Sequence, residues 1–401
     1  MKKVLFNFAL IIPVLNAIAM ITADYFPEKV LHPGTIRAVL IILFYTILFL
    51  YGFKKNQVCD LVIGFLVYLF VLTLINDRIL NTIYIYIKIA ISTMAIVIGY
   101  EYFGNNRNLV KLNRVNTLCL TMMVANVIVA NIFHLGTSDY LDETIYFGAA
   151  RVNITKTMTI ILLLFPLFIR MEKSRKWINI SLVVFILALI IVLVGIKRSA
   201  LLALFFGYFI YFIFTPYRNR FLKRMFTILF ILILSSSFLF EIFKSRIEAR
   251  KEQILVTNPE FMEKEARVNE VNMVFSDIKR RPLYGVLFGR SFLNEHSYYN
   301  TNRMLHIDYC ILLHGTGLMG IVIYFMIYYS IVKVTARYRL MGKEYSEIFA
   351  LTISLITANL IVGIAGSLYS TDLRTTVMMY LGAFMRLEKE AKKITTHQNN
   401  I

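Results

Sequence analysis

Long apolar runs, each close to the length that crosses a bilayer, follow one another along most of this chain, and short polar connections separate them. The runs are continuous rather than alternating, and every backbone amide at membrane depth must be paired within its own segment, so they predict helices and not barrel strands. Twelve spans are expected, near 4–21, 36–53, 58–75, 82–99, 115–134, 153–170, 177–195, 200–215, 226–241, 309–332, 347–366 and 375–387. The fold class is all-α: a polytopic membrane protein of about twelve transmembrane helices with one long, partly helical outer loop. Three sections result, with spans one to nine in 1–240, the long loop in 241–308, and the last three spans with a polar tail in 309–401.

Inside the long loop a shorter period emerges. Val268, Val271, Val274, Phe275 and Ile278 recur at helical spacing, while Arg267, Glu270, Asp277 and Lys279 fall mainly on other faces, which predicts an amphipathic helix lying on the membrane domain. Pro282, Gly285 and Gly289 then mark a passage rich in turns.

Composition agrees with this picture: 58% of the 401 residues are hydrophobic and 17% charged. The formal charge of +19 would point to nucleic acid in a soluble protein. Here most of the excess lies in the N-terminus, alternate loops and the C-terminal tail, as the positive-inside rule demands, so no nucleic-acid partner is expected and both termini face the cytoplasm. The N-terminal run is long for a signal-peptide core and reads as a retained first helix, although Ala17-Ile18-Ala19 offers small residues at a cleavage-like spacing. Cys59, Cys119 and Cys310 are widely spaced and read as small core residues, with neither a disulfide framework nor a zinc site. Trp177 reads as an interfacial anchor.

On this orientation the long loop lies outside the cytoplasmic membrane, where short positive loops are normally avoided, yet it carries eleven Lys or Arg residues. It converges there with the loop around Arg151 and the turn at Lys197-Arg198. An outward arginine cluster suits a diphosphate, because a guanidinium stays charged and offers paired planar donors. The candidates are Arg151, Arg198, Arg267, Arg280, Arg281, Arg290 and Arg303, with headgroup or carboxylate pairing as the alternative for any one of them. Lys88 and Lys156 fall in the outer halves of their spans, and Lys156 is close enough to Arg151 along the chain to share one anionic headgroup. His306 and Asp308 stand where the loop meets the tenth span, a place for acid or base chemistry on a lipid-linked substrate. Gly315, Gly317 and Gly320 follow, and small residues there permit close packing. The chain has no P-loop, no Gly-x-Ser-x-Gly elbow, no His-Glu-x-x-His and no outward Asp-x-Asp pair, so neither ATP, a metal nor another cofactor is expected.

Three strings in order carry a family resemblance: Gly195-Ile196-Lys197-Arg198-Ser199 opening a span; Arg267 beginning a helix that leads to Arg281-Pro282-Leu283-Tyr284-Gly285-Val286-Leu287-Phe288-Gly289; and His306 followed by Gly315-Thr316-Gly317-Leu318-Met319-Gly320. Over roughly residues 195 to 320 the chain resembles the Wzy-type O-antigen and capsule polymerases and the related O-antigen ligases. The family often has Asn after this histidine, where Ile307 stands here, and His296 is the alternative histidine. Arg151, in Ala149-Ala150-Arg151-Val152-Asn153, is similar to the arginine of the family's earlier outer loop.

The resemblance implies glycosyl transfer from a polyprenyl-diphosphate-linked glycan to a sugar hydroxyl of a second lipid-linked unit, in a bacterial cytoplasmic membrane. Arg198, Arg267 and Arg303 would hold the diphosphate, His306 would accept or orient the acceptor proton, and Arg151, Lys156, Arg281, Arg290 and Asp308 would contact diphosphate or glycan. A flippase and a chain-length regulator are the protein partners it implies. A ligase would pass finished glycan to lipid A core or protein. From other classes, a lipid-linked oligosaccharide flippase would place its substrate site near the midplane between related halves, and a scaffold would bind anionic polymer unchanged.

Overall fold

The computed structural model describes residues 2–22, 25, 32–54, 56–76, 79–136, 138–139, 142–195, 197–219, 222, 244, 266–293, 305–366 and 368–398. Five helices come first: α1 (Lys2–Thr22), α2 (Pro33–Tyr51), α3 (Gln57–Leu74), α4 (Ile79–Tyr102) and α5 (Asn106–Phe133). A two-stranded antiparallel hairpin, β1 (Ser138–Asp139) and β2 (Asp142–Tyr146), and a 3-10 turn over Gly148–Asn153 lead to α6 (Ile154–Leu163), α7 (Phe165–Met171), α8 (Arg175–Val194) and α9 (Arg198–Phe214). Beyond them lie α10 (Ala266–Arg280), α11 (Leu283–Phe288), α12 (Asp308–Ala336), α13 (Lys343–Gly363) and α14 (Thr371–Gln398). The chain is a multi-pass helical membrane protein. The hairpin is the one departure from an all-helical fold among the described residues, and Asn131 holds it by bonding both the amide and the carbonyl of Tyr146.

Among the described residues eight helices are long and apolar enough to cross a bilayer, and α6 with α7, bent by 44° at their junction, makes a ninth. The bend has a clear cause. Pro166 has no amide hydrogen to offer Leu162, so the ladder breaks there, and Tyr208 Oη on α9 donates to that freed carbonyl at 2.6 Å. Of the remaining expected spans, 200–215 corresponds to the apolar but shorter α9, 226–241 lies outside the described residues, and 375–387 falls within α14. That part of α14 is almost wholly buried against α4. Gly99 and Gly382 allow this contact, since a Cβ on either would collide with the carbonyl of Met379 or Ile96. Elsewhere large apolar side chains such as Val4, Leu50, Val67, Ile132 and Phe205 point outward, as a lipid solvent requires.

The amphipathic helix expected over the basic loop is α10. Val274 is fully buried and Val271 and Ile278 pack against the core, whereas Val268 and Phe275 are about half exposed, so the buried stripe is narrower than the spacing predicted. Along α12 the helix is interrupted at Gly317, whose φ of 62° and ψ of −164° are non-helical. Residues 287–289 of α11 and its C-cap press into this break. A Cβ on Gly317 would lie 2.5 Å from Leu287, and one on Gly289 would lie 2.4 Å from the Gly315 carbonyl. The expected close packing at Gly315 and Gly317 is thus with α11 and the residues after it rather than with another span.

At the other end of the bundle an ion pair joins α5 to the α7–α8 turn. Arg114 donates from Nε and Nη2 to the two carboxylate oxygens of Glu172 at 2.7 and 2.8 Å, and Glu172 Oε1 also accepts from the amides of Lys173 and Ser174. The Arg114 guanidinium first, and these amides after it, hold the Glu172 carboxyl below its ordinary range. A carboxyl depressed in the fold contributes stability above its unfolded pKa of about 4.3, and loses it as pH falls through the folded value. Glu172→Gln is therefore expected to lower stability by about 1–2 kcal/mol at pH 7. The gap between variant and parent should narrow only as pH falls below about 4, through the depressed folded value, in thermal unfolding of detergent-solubilised protein, and a gap constant with pH would refute the ionic contribution.

Candidate functional site

At the bundle end opposite Glu172, the loop between α13 and α14 organises a cluster of charged side chains. Gly366 takes φ of 79°, and a Cβ there would meet the His306 carbonyl at 2.2 Å, so only glycine lets the two backbones approach. The Gly366 and Ala365 carbonyls accept from Lys156 Nζ at 2.8 and 3.3 Å. Two residues on, the Leu368 amide donates to Asp308 Oδ1 at 2.8 Å. One loop thus holds Lys156 from α6 and Asp308 from α12.

Both of these charges are buried, Lys156 at 5% exposure and Asp308 at 1%. Desolvation would be costly for either alone. Asp308 occupies the first turn of α12, where the helix dipole favours an anion. Lys156 is within electrostatic reach of Asp308, Asp372 and Arg267. Asp372, in the first turn of α14, accepts a hydrogen bond from Thr157 Oγ1, so consecutive residues of α6 tie down both the loop and the helix after it.

His306 is fixed through its main chain. Glu270 of α10, 5% exposed, accepts from the amides of His306 and Ile307 at 2.7 Å each, while the His306 carbonyl abuts Gly366. The imidazole itself is exposed. One turn before Glu270 stands Arg267, also exposed. The Lys197–Arg198 turn joins this end of the bundle: Lys197 Nζ bonds Asn153 Oδ1, and Gly195 packs against Thr155, the neighbour of Lys156. Arg198 opens α9 there with its side chain exposed.

The structure therefore brings Lys156, Asp308, His306 and Arg267 together and places Arg198 at the same end. Arg151 lies in the 3-10 turn just before α6, with only its backbone described. Arg303 and the alternative histidine, His296, lie outside the described residues.

Arg281 does something else. Its Nε donates to Asp277 Oδ2 at 2.7 Å, its Nη1 to the His314 carbonyl at 2.8 Å, and its Nη2 lies 2.6 Å from His314 Nδ1. With 3% side-chain exposure it is a clamp between α10 and α12, its donors already engaged, and not an open anion ligand. Arg290 adds its amide to the same carbonyl at 2.9 Å and leaves its guanidinium exposed.

Two arginines absent from the sequence-derived candidates also belong to this end. Arg374, in the first turn of α14, is 1% exposed, sits over the Tyr324 ring at 5.7 Å and lies within electrostatic reach of Asp308. Its Nε and Nη1 have no hydrogen-bond partner among the described residues. Arg37 of α2 is within electrostatic reach of Asp372 and Tyr84. A cation at the edge of an apolar run was the available signal for both. Chemically the cluster offers exposed guanidinium groups, a buried lysine and carboxylates that set the local field, and an exposed histidine.

Neither a comparison with protein-family models nor a search of characterised proteins finds a match for this chain.

Proposed function

We propose that the chain is a polysaccharide polymerase, a membrane glycosyltransferase that joins oligosaccharide repeat units on the outer face of a bacterial cytoplasmic membrane. The donor is a glycan on polyprenyl diphosphate and the acceptor a sugar hydroxyl of another lipid-linked unit. The observation that carries this reading is the convergence of Lys156, Arg267, His306 and Asp308, with Arg198 beside them, at one end of a bundle of apolar helices. A lipid-linked diphosphate has both halves of the matching chemistry, an anion for the guanidinium groups and a prenyl chain for the apolar helix surface.

In this proposal the acceptor oxygen attacks the anomeric carbon, the bond from that carbon to the diphosphate oxygen breaks, and His306 takes the hydroxyl proton. Arg198 and Arg267 stabilise the charge that grows on the departing diphosphate, and Arg303 joins them. Buried Asp308 and Lys156 position the loop that frames the histidine. Arg151 and Arg290 serve the glycan or diphosphate from the rim. Arg281, already bonded inside the protein, supports the site by holding α10 to α12. Twelve spans, with both termini cytoplasmic and 241–308 outside, complete the topology, and a flippase and a chain-length regulator are the expected partners.

The deciding experiment is glycan analysis of a strain lacking this protein. A polymerase defect leaves single repeat units, whereas a ligase defect leaves finished polymer on the prenyl carrier. In vesicles containing the purified protein, lipid-linked sugar crossing the membrane with no new glycosidic bond would replace the proposal with transport.

A further inference from the structure

The end of the bundle opposite the proposed active site carries a second feature, independent of that reading. A cleft of about 690 Å³ opens between the start of α5, the α7–α8 turn and the start of α13. Five cations, Arg107, Lys111, Arg114, Arg170 and Lys173, line it against the carboxylates of Glu172 and Glu344.

The five are not equivalent. Arg114 is committed to Glu172 through both of its bonds, and Arg170 pairs with Glu347 at 2.6 Å and donates to the Glu344 carbonyl. These pairs build the walls. Arg107, Lys111 and Lys173 are exposed and form no ion pair among the described residues; Lys111 only lies over the Phe6 ring at 5.1 Å. Three cations on two separate chain segments therefore face one recess against a single carboxylate, Glu344, that forms no ion pair among the described residues, and the balance is positive.

The level of the cleft is marked by Trp177, the one tryptophan of the chain, whose ring lies 5.4 Å from the Arg114 guanidinium. Tryptophan concentrates where headgroups meet acyl chains. α5 and α8, which bear Arg114 and Trp177, are both long and apolar enough to cross the membrane, and their adjoining ends bound the recess. A basic recess between transmembrane helices at headgroup depth matches a phospholipid phosphate, with the acyl chains lying along the apolar sides of the same helices.

We infer that this cleft is a binding site for an anionic phosphate headgroup, held by Arg107, Lys111 and Lys173, and that its occupant is a bilayer phospholipid. The test uses full-length protein, stripped of lipid in detergent and titrated separately with phosphatidylglycerol, phosphatidylcholine, inorganic phosphate and pyrophosphate, with bound species read by native mass spectrometry. Phosphatidylglycerol should be retained roughly tenfold or more above phosphatidylcholine, at about 1 kcal/mol per basic residue engaged. The triple variant Arg107→Gln, Lys111→Gln, Lys173→Gln should lose that preference, while Arg175→Gln with Lys176→Gln, exposed residues that do not line the cleft, should keep it. Saturable pyrophosphate or phosphate binding that the triple variant abolishes, without lipid preference, would keep the anion site and overturn the lipid as occupant. Equal retention of both lipids with no binding of either free anion, or a triple variant indistinguishable from the parent, would overturn the site itself.

Discussion

Arg267→Ala is expected to reduce repeat-unit polymerisation by about 10²- to 10³-fold while leaving the amount of folded protein in the membrane unchanged. The scale is that of removing one preorganised donor from a developing oxyanion. The separation from folding follows from position: Arg267 is exposed in the first turn of α10, and the bonds that dock this helix are made by Glu270 and Arg281. Arg198→Ala should behave alike for the same reason. His306→Ala makes the sharper case, with a loss of about 10²- to 10⁴-fold expected for a general base. Glu270 grips residue 306 by its amide, and Gly366 meets it at its carbonyl, so deleting the imidazole leaves both contacts in place. Lys156 is a poorer probe, because it is buried and its ammonium supports the Ala365–Gly366 loop. The measurement is ladder length from purified protein and lipid-linked repeat units, alongside thermal unfolding. Full-length ladders from Arg198→Ala, Arg267→Ala and His306→Ala would remove the proposed active site.

The second large effect concerns stability. Arg281→Ala should destabilise the docked α10–α11 segment by about 3–5 kcal/mol, the range for a buried ion pair that loses one partner, because Asp277 is left without its counter-charge and the His314 carbonyl loses a donor. Arg281→Met combined with Asp277→Leu should recover much of that loss, since no isolated charge then remains. Proteolysis within 266–293 and the melting temperature would report both. Arg281→Ala with parental stability but weakened donor binding would return Arg281 to the role of anion ligand that its sequence context suggests.

That contrast shows how far the sequence can be read. The transmembrane helices and α10 are legible because burial in lipid or on a bundle imposes a run or a period that is local to each segment. Val271, Val274 and Ile278 obey that period, and Val268 and Phe275 share it while remaining about half exposed. The spacing puts Glu270 on a polar face, yet it is buried, and its partners are main-chain amides at 306 and 307 that no side-chain pattern announces. The charge of Arg281 and its i,i+4 spacing from Asp277 are visible in the sequence, but its bonds to His314 depend on α11 packing against α12. Arg374 is not legible as a site residue because it is a lone arginine at the edge of a run and its neighbours, Tyr324 and Asp308, belong to another helix. Gly366 carries no motif, and its importance comes from two backbones meeting.

The interruption at Gly317 has a mechanical consequence. A continuous helix as long as α12, roughly 43 Å for its 29 residues, would transmit a torque from one surface of the membrane to the other. Here the carbonyls before the break are held sideways, Thr316 by the Tyr68 hydroxyl and His314 by Arg281 and the Arg290 amide. The stretch from Asp308 to Thr316 is therefore fastened to α3 and to the residues on either side of α11. Because the rod is broken at Gly317, a load arriving at His306 passes sideways into α3 and the α10–α11 segment as well as along α12.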